Sequence, residues 1–188
     1  MLVRHMQDGK CTLVYIIGGP DDEREPKVVA GDPEQCRALT EAADGQFYSC
    51  ALSYYPGEAT EEQIIADCLS YLRVLLPGME PGLDYAFVVV IHDETVEERH
   101  DAKRLAGHIY VPKLHLGTGK RLTPFLPKLD FRRMECWQEV TNKERGYLPF
   151  HELAGSVRSP PCRVRRSLLF RLTGRGTLPF RTRGIGSR

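Results

Sequence analysis

Two histidines near the middle of the chain are the residues best placed for chemistry. His92 ends the apolar run Tyr85–His92, and the acidic residues Asp93 and Glu94 follow it. His108 lies inside the next strand-like run. If the two strands pair, both imidazoles can face one side of the sheet, where with a nearby carboxylate they suit a divalent cation that polarises a phosphate. The alternative is a pair of satisfied histidines at strand ends, and the spacing alone does not separate the two.

Tyr15 is the second candidate, because it lies in an apolar segment directly before the turn Gly18-Gly19-Pro20. A tyrosine in such a segment is commonly a core or rim aromatic. The alternative is a nucleophile that a ligand approaches over the glycine turn. The residues by themselves leave both interpretations open.

Basic side chains follow the strand that carries His108. The run Thr118-Gly119-Lys120-Arg121 lacks the first glycine of the GxxxxGK phosphate loop and has arginine after the lysine, so the Walker motif is rejected. As a cationic turn it could still contact a DNA backbone, although a solvated helix start would have the same composition. The basic cluster consists of Lys120, Arg121, Lys128, Arg132 and Arg133, of which Lys120, Arg121, Arg132 and Arg133 are the candidate DNA-binding residues.

The hydrophobic pattern predicts the elements that position these residues. Strand-like and helical runs follow in the order β-α-β-α-β-loop-β-α, which predicts an α/β sandwich of the α+β kind. Helices are expected on a mostly antiparallel sheet, with the strands of His92 and His108 at its middle. The predicted strands are 27–30, 47–55, 85–92 and 105–116, and the predicted helices are 33–43, 61–76 and 131–142.

Charge divides the 188-residue chain into two parts. Nine of its 26 basic residues are arginines between Arg158 and Arg188, where no acid occurs, so 17 basic and 25 acidic residues precede them. We expect one globular domain, residues 1–156, and an Arg-rich tail, residues 157–188, that is disordered. The tail is either a basic arm that binds DNA phosphates or the product of a shifted reading frame.

Composition also excludes several classes of protein. No apolar run reaches the roughly 18 residues of a membrane span, and no secretory signal is visible. The six cysteines form no CxxC pair, which favours reduced thiols in a cytoplasmic protein over a zinc ribbon. The acidic excess before the tail counts against nucleic-acid binding unless the acids lie away from the DNA.

Several segments occur in an order that suggests a family. They are VYIIGG, the strand into His92, the stretch HIYVPKLHLGTGKRLTPF and the helix CWQEVTN. This set, over roughly residues 10–150, resembles the plasmid-mobilisation relaxases, which are tyrosine nickases of the HUH nuclease superfamily. The resemblance implies that Tyr15 attacks a phosphodiester at a plasmid transfer origin, cuts one strand and keeps the 5′-phosphate. It also implies a divalent cation, Mg²⁺ or Mn²⁺, and as partners single-stranded plasmid DNA and accessory mobilisation proteins.

The sequence departs from the family pattern at the metal site. The nearest subgroup has a His, a Glu, and an Asn two residues after the Glu. His92 matches the first position, but Ala106 stands at the Glu position and His108 at the Asn position. A compensating ligand is expected from Glu94, Asp93 or His100, and the implied metal site is His92, His108 and Glu94.

The leading hypothesis is therefore a metal-dependent DNA relaxase of conjugative mobilisation, truncated at its C-terminus. One alternative is a catalytically impaired relaxase fragment that only binds DNA. Another is a metal-dependent α/β hydrolase unrelated to DNA, in which His92, His108 and an acid activate a water. A covalent adduct on Tyr15 would distinguish the first hypothesis from the other two.

Overall fold

Five strands and four helices make up the computed structural model of the protein, which describes residues 1–6, 13–18, 22, 26–93 and 104–148. The strands are β1 Leu2–Met6, β2 Lys27–Gly31, β3 Phe47–Ser53, β4 Val88–Asp93 and β5 Leu105–Pro112. The helices are α1 Leu13–Ile17, α2 Pro33–Ala42, α3 Glu61–Leu75 and α4 Pro127–Arg145. The strands form one sheet in the order β1-β3-β5-β4-β2, and every neighbouring pair is antiparallel. The predicted α+β class is confirmed.

Helices α2 and α3 begin where their capping residues predict. Asp32 accepts hydrogen bonds from the main-chain N–H groups of Glu34 and Gln35, at 2.9 and 3.1 Å, and so starts α2. Thr60 and Gln63 form a reciprocal capping box at the start of α3. These side chains satisfy N–H groups that have no partner inside the helix.

Other elements differ from their predicted bounds. No strand is predicted at β1, since Arg4 and His5 interrupt its apolar residues. The last strand, β5, ends at Pro112 instead of continuing to residue 116, because proline has no N–H for the strand ladder. Helix α4 starts at Pro127, before the predicted residue 131, because proline is well suited to the first helical turn.

One face of the sheet packs against α3, with α4 beside α3, and forms the larger core. Gly107 on β5 permits this close packing. A Cβ atom at Gly107 would lie 2.6 Å from Cys68 Sγ and 2.8 Å from Ile64 Cγ2, both on α3. The buried residues of this core include Ile64, Cys68, Leu72, Val89, Ile109 and Trp137.

A buried carboxylate joins α3 to the end of α4. Asp67 accepts hydrogen bonds from the hydroxyls of Tyr54 and Tyr147, at 3.2 and 3.0 Å, and pairs with Arg145 at 3.3 Å. Burial raises the pKa of Asp67, while Tyr147, Arg145 and Tyr54 oppose that shift. Three partners therefore compensate a charge that is withdrawn from water.

The opposite face of the sheet carries α1 and α2. Leu13 and Ile16 of α1 and Cys36 of α2 are buried in a second cluster with Val88, Val90 and Tyr110 of the sheet. The Thr40 hydroxyl of α2 is hydrogen-bonded to the Tyr110 hydroxyl at 2.9 Å. This smaller core lies over β4 and β5, on the side to which the candidate histidines point.

Three expectations about the whole chain have different outcomes. Cys36, Cys50 and Cys68 are buried free thiols, but Cys136 is disulfide-bonded, so the expectation of reduced thiols is wrong for Cys136. Within the described ranges, no helix is long and apolar enough to cross a membrane. The predicted tail, residues 157–188, lies outside the described residues, and the predicted domain boundary stays a prediction.

Candidate active site

The two histidines converge on one face of the sheet. His92 on β4 pairs with Ala106 on β5, and His108 on β5 pairs with Val90 on β4. Because side chains alternate along a strand, His92 and His108 leave the sheet on the same side. Their ring centroids are 4.3 Å apart with an interplanar angle of 37°, and both side chains are buried. We call this side, which α1 and α2 also contact, the histidine face.

Helix α1 is attached directly to this pair. His92 donates a hydrogen bond from Nε2 to the main-chain carbonyl oxygen of Ile16. Leu13 and Ile16 are buried, whereas the Tyr15 side chain between them is 48% exposed. The structure therefore brings the main chain at Tyr15 next to the histidine pair and leaves the side chain of Tyr15 accessible.

The described residues do not provide a third metal ligand beside His92 and His108. Asp93 follows His92 on β4, so alternation directs its side chain to the opposite face. Glu94 and His100, the other proposed ligands, lie outside the described residues. Ala106 is fully buried beside His92, and its methyl group cannot bind a metal. Among the residues that the structure describes, no group of three or more His, Cys, Asp or Glu side chains could hold a metal ion.

The two imidazoles fit a divalent cation as two of its ligands, because they are buried and their rings lie in contact. Imidazole nitrogen suits transition-metal ions such as Zn²⁺ or Ni²⁺, whereas Mg²⁺ and Mn²⁺ prefer oxygen ligands. The predicted Mg²⁺ or Mn²⁺ therefore requires a carboxylate in addition to His92 and His108. Metal binding stays a prediction.

The basic cluster is not brought together with the histidines. Lys120 and Arg121 follow Pro112, at the end of β5 that lies about 20 Å along the strand from Ala106. Arg132 and Arg133 belong to α4, which packs through Trp137 on Tyr71 of α3, on the face opposite to the histidines.

Arg133 in particular has structural partners. Its guanidinium donates to the carbonyl oxygen of Leu75 at 3.3 Å and pairs with Asp130 at 2.9 Å. These contacts join the first turns of α4 to the end of α3. A DNA-binding role for the four basic residues stays a prediction.

The register reveals residues that sequence reasoning missed. Arg4 on β1 pairs with Ala51 on β3, and Ala51 pairs with His108. Ser49 and Ser53 flank Ala51 on the same face. The alternation of small residues in FYSCALS was the available signal, but it does not indicate which face of the strand would carry the histidines.

Two known proteins are similar to the chain over about three quarters of its length. The chain is 31% identical over 143 residues to "DNA relaxase MbeA" of Escherichia coli, covering 73% of this chain and 26% of that protein. It is 27% identical over 141 residues to "Cryptic plasmid protein C" of Neisseria gonorrhoeae, covering 74% of this chain and 65% of that protein. The predicted resemblance to plasmid-mobilisation relaxases is confirmed.

The comparison has a defined extent. The chain spans about a quarter of the length of the Escherichia coli relaxase and just under two thirds of the gonococcal protein. No protein-family model matches the chain. No solved structure matches it significantly.

Proposed function

We propose that the protein nicks one strand of plasmid DNA at a transfer origin, with Tyr15 as the nucleophile, in conjugative mobilisation. The observation that carries the proposal is the contact between α1 and the histidine pair. His92 bonds the main chain directly after Tyr15, and His108 lies against His92 with ring centroids 4.3 Å apart. Similarity to a DNA relaxase supports the same assignment.

The proposed reaction is a transesterification. The phenolic oxygen of Tyr15 forms a bond to the scissile phosphorus, and the bond from phosphorus to the 3′ oxygen breaks. The phenol loses its proton and the departing 3′ oxygen gains one, so the 5′-phosphate remains on Tyr15 and a 3′ hydroxyl is released. Because a phosphodiester bond is kept in the adduct, the strand can be rejoined.

The histidines would support this reaction by holding a divalent cation. When bound, that cation offsets the negative charge that develops on the phosphate. His92 and His108 would be its nitrogen ligands, and Glu94 is proposed as the oxygen ligand. Single-stranded plasmid DNA is the proposed substrate, with accessory mobilisation proteins as further partners.

Replacement of Tyr15 tests the proposal. Tyr15→Phe removes one hydroxyl from a half-exposed side chain, so the free energy of unfolding should change by no more than about 1 kcal/mol. Nicking of single-stranded oligonucleotides that tile a plasmid transfer origin should be lost, together with the denaturant-resistant protein–DNA adduct. Tyr55→Phe, which removes a hydroxyl two residues beyond the end of β3, is the matched control and should retain both. Undiminished nicking by Tyr15→Phe would exclude the tyrosine mechanism.

A second candidate function is a relaxase fragment that binds DNA without cutting it. The buried methyl group of Ala106 beside His92 favours this candidate, since the position lacks the carboxylate of the family pattern. Under this hypothesis the unmodified protein binds transfer-origin DNA but forms no adduct with any divalent metal. An adduct that appears only after Ala106→Glu would establish the loss of activity at this position.

A further inference from the structure

Arg4 lies on the histidine face, and one strand, β3, separates it from His108 on β5. Arg4 pairs directly with Ala51, and Ala51 pairs directly with His108, so all three side chains leave the sheet on the same side. Two strand spacings put the Cα atoms of Arg4 and His108 about 10 Å apart. An arginine side chain is long enough to reach a phosphate next to one that is held at the histidines.

Small side chains cover the sheet between Arg4 and His108. Ser49, Ala51 and Ser53 are buried on β3, and Ser53 pairs with Ala106 beside the histidines. Ser49 and Ser53 are only 2% and 0% exposed. Their hydroxyls have no hydrogen-bond partner among the described groups. A buried hydroxyl without a partner costs stability, so two on one strand, aimed at the same face, indicate a ligand oxygen.

Arg4 provides the charge for such a ligand. Its side chain is exposed and forms no ion pair with any described residue. It is also the one Lys or Arg among the described strand residues that point to the histidine face. A guanidinium beside two hydroxyl donors is a donor set suited to phosphate oxygens.

We propose that Arg4, Ser49 and Ser53 form a second phosphate subsite, which binds the phosphodiester adjacent to the scissile one. This inference rests on the proposed function and adds the path of the DNA strand. The strand would run from the histidines across β3 towards β1. This path lies away from Lys120, Arg121, Arg132 and Arg133.

The salt dependence of DNA binding tests the role of Arg4. Affinity of the full chain for a short fluorescein-labelled oligothymidylate is measured by anisotropy over a range of salt concentrations. Loss of one phosphate contact should lower the slope of log affinity against log salt by about 0.7 in Arg4→Gln. Arg73→Gln removes the same charge from α3, on the other face, and should leave the slope unchanged. Equal slopes for the two variants would overturn the subsite.

The proposed role of the two serines is tested by measuring both the stability and the DNA affinity of their alanine variants. Because their hydroxyls have no partner in the fold, Ser49→Ala and Ser53→Ala should leave the melting temperature of the DNA-free protein unchanged or raised. Affinity for the oligothymidylate should fall roughly tenfold in the double variant, with no change in the salt slope. A fall in melting temperature with unchanged affinity would show that the hydroxyls serve the fold and would overturn their assignment.

An uncharged methylphosphonate linkage in the DNA distinguishes a failure of this inference from a failure of the proposed function. Single methylphosphonate linkages are placed at successive positions of a transfer-origin oligonucleotide that the protein nicks. The linkage next to the nick should weaken binding by the unmodified protein and have no further effect on Arg4→Gln. If that linkage weakens both proteins equally while nicking persists, the subsite is wrong and the relaxase function stands. If the unmodified protein neither nicks nor binds, both proposals fail.

Discussion

His92 donates a hydrogen bond from Nε2 to the carbonyl oxygen of Ile16, a residue 76 positions earlier in the chain. A carbonyl oxygen can only accept, so this contact assigns a proton to Nε2, and Nδ1 is then the ring nitrogen that would bind a metal. Metal-bound histidines commonly donate their second ring N–H to a carbonyl in this way. The bond therefore orients a candidate metal ligand. It also holds helix α1, which carries Tyr15, against β4.

Glutamine and asparagine at position 92 should separate these two roles. His92→Gln carries an amide N–H at the reach of Nε2 and should keep the bond to Ile16, whereas His92→Asn is too short. Loss of about 1 kcal/mol of local stability should make the amides of residues 13–18 exchange roughly fivefold faster in His92→Asn than in His92→Gln. Equal exchange rates, measured by mass spectrometry, would show that this bond does not hold α1.

A carboxylate at position 106 should create a stronger metal site. Ala106 is fully buried next to His92, so Ala106→Glu should lower the melting temperature in a chelating buffer because a carboxyl is then buried. Mn²⁺ should restore stability, and a metal concentration 100-fold above the dissociation constant is worth about 2.7 kcal/mol. Ala106→Gln has the same shape and a much weaker ligand, so it should show the loss without the rescue. Calorimetric scans with and without Mn²⁺ test this, and rescue of both variants alike would contradict it.

Tyr147→Phe should destabilise the protein more at neutral pH than in acid. Burial raises the pKa of Asp67, and the Tyr147 hydroxyl opposes that shift, so its removal raises this pKa further. A carboxyl with a raised folded-state pKa contributes stability that is present at low pH and lost as pH rises through that pKa. The loss in the variant should be about 2 kcal/mol at pH 7 and should shrink as the pH falls through the pKa of Asp67. Urea unfolding at several pH values measures this.

The control for this prediction is the same change in an Asp67→Asn protein. An amide does not titrate in this range, so the effect of Tyr147→Phe should then be independent of pH. A pH-dependent effect that persists in the Asp67→Asn protein would assign the titration to another group.

Removal of residues 157–188 should affect DNA binding and leave the domain stable. Truncation deletes nine arginines and changes the net charge from +1 to −8. We expect the melting temperature to change by less than about 2 °C, and non-specific affinity for DNA at low salt to fall roughly tenfold or more. A large drop in melting temperature would show that these residues belong to the fold.

The sequence predicted the elements whose pattern is long and regular. Helix α3 has apolar residues at helical spacing over 15 residues, and β4 is almost wholly apolar, so both were expected close to their observed bounds. Strand β1 was missed because the consecutive polar residues Arg4 and His5 interrupt its apolar pattern, as an edge strand allows. Helix α1 has five residues, too few to display a helical period.

Only those features of the site that follow from the alternation of side chains along a strand were predictable from the sequence. Two histidines on consecutive strands converge because the pairing register puts them on one face, and this was expected. The contact of His92 with Ile16 and the alignment of Arg4 with His108 depend on strand order, which no local pattern encodes. For the same reason the basic cluster looked close to the histidines along the chain, although Arg133 contacts the opposite helical layer.

The strand order also has a consequence for the way the protein folds. β4 and β5 are the one pair of described strands that are consecutive in the chain and adjacent in the sheet, while β1–β3, β2–β4 and β3–β5 each close a longer loop. Closing a shorter loop costs less chain entropy, so the pairing of β4 with β5 needs less stabilisation from native contacts to form. This hairpin should therefore be ordered in the folding transition state. Chevron analysis should find that Ile109→Val slows folding, whereas Val3→Ala on the edge strand mainly accelerates unfolding. The two histidines would then be aligned before the strand that carries Arg4 has joined the sheet.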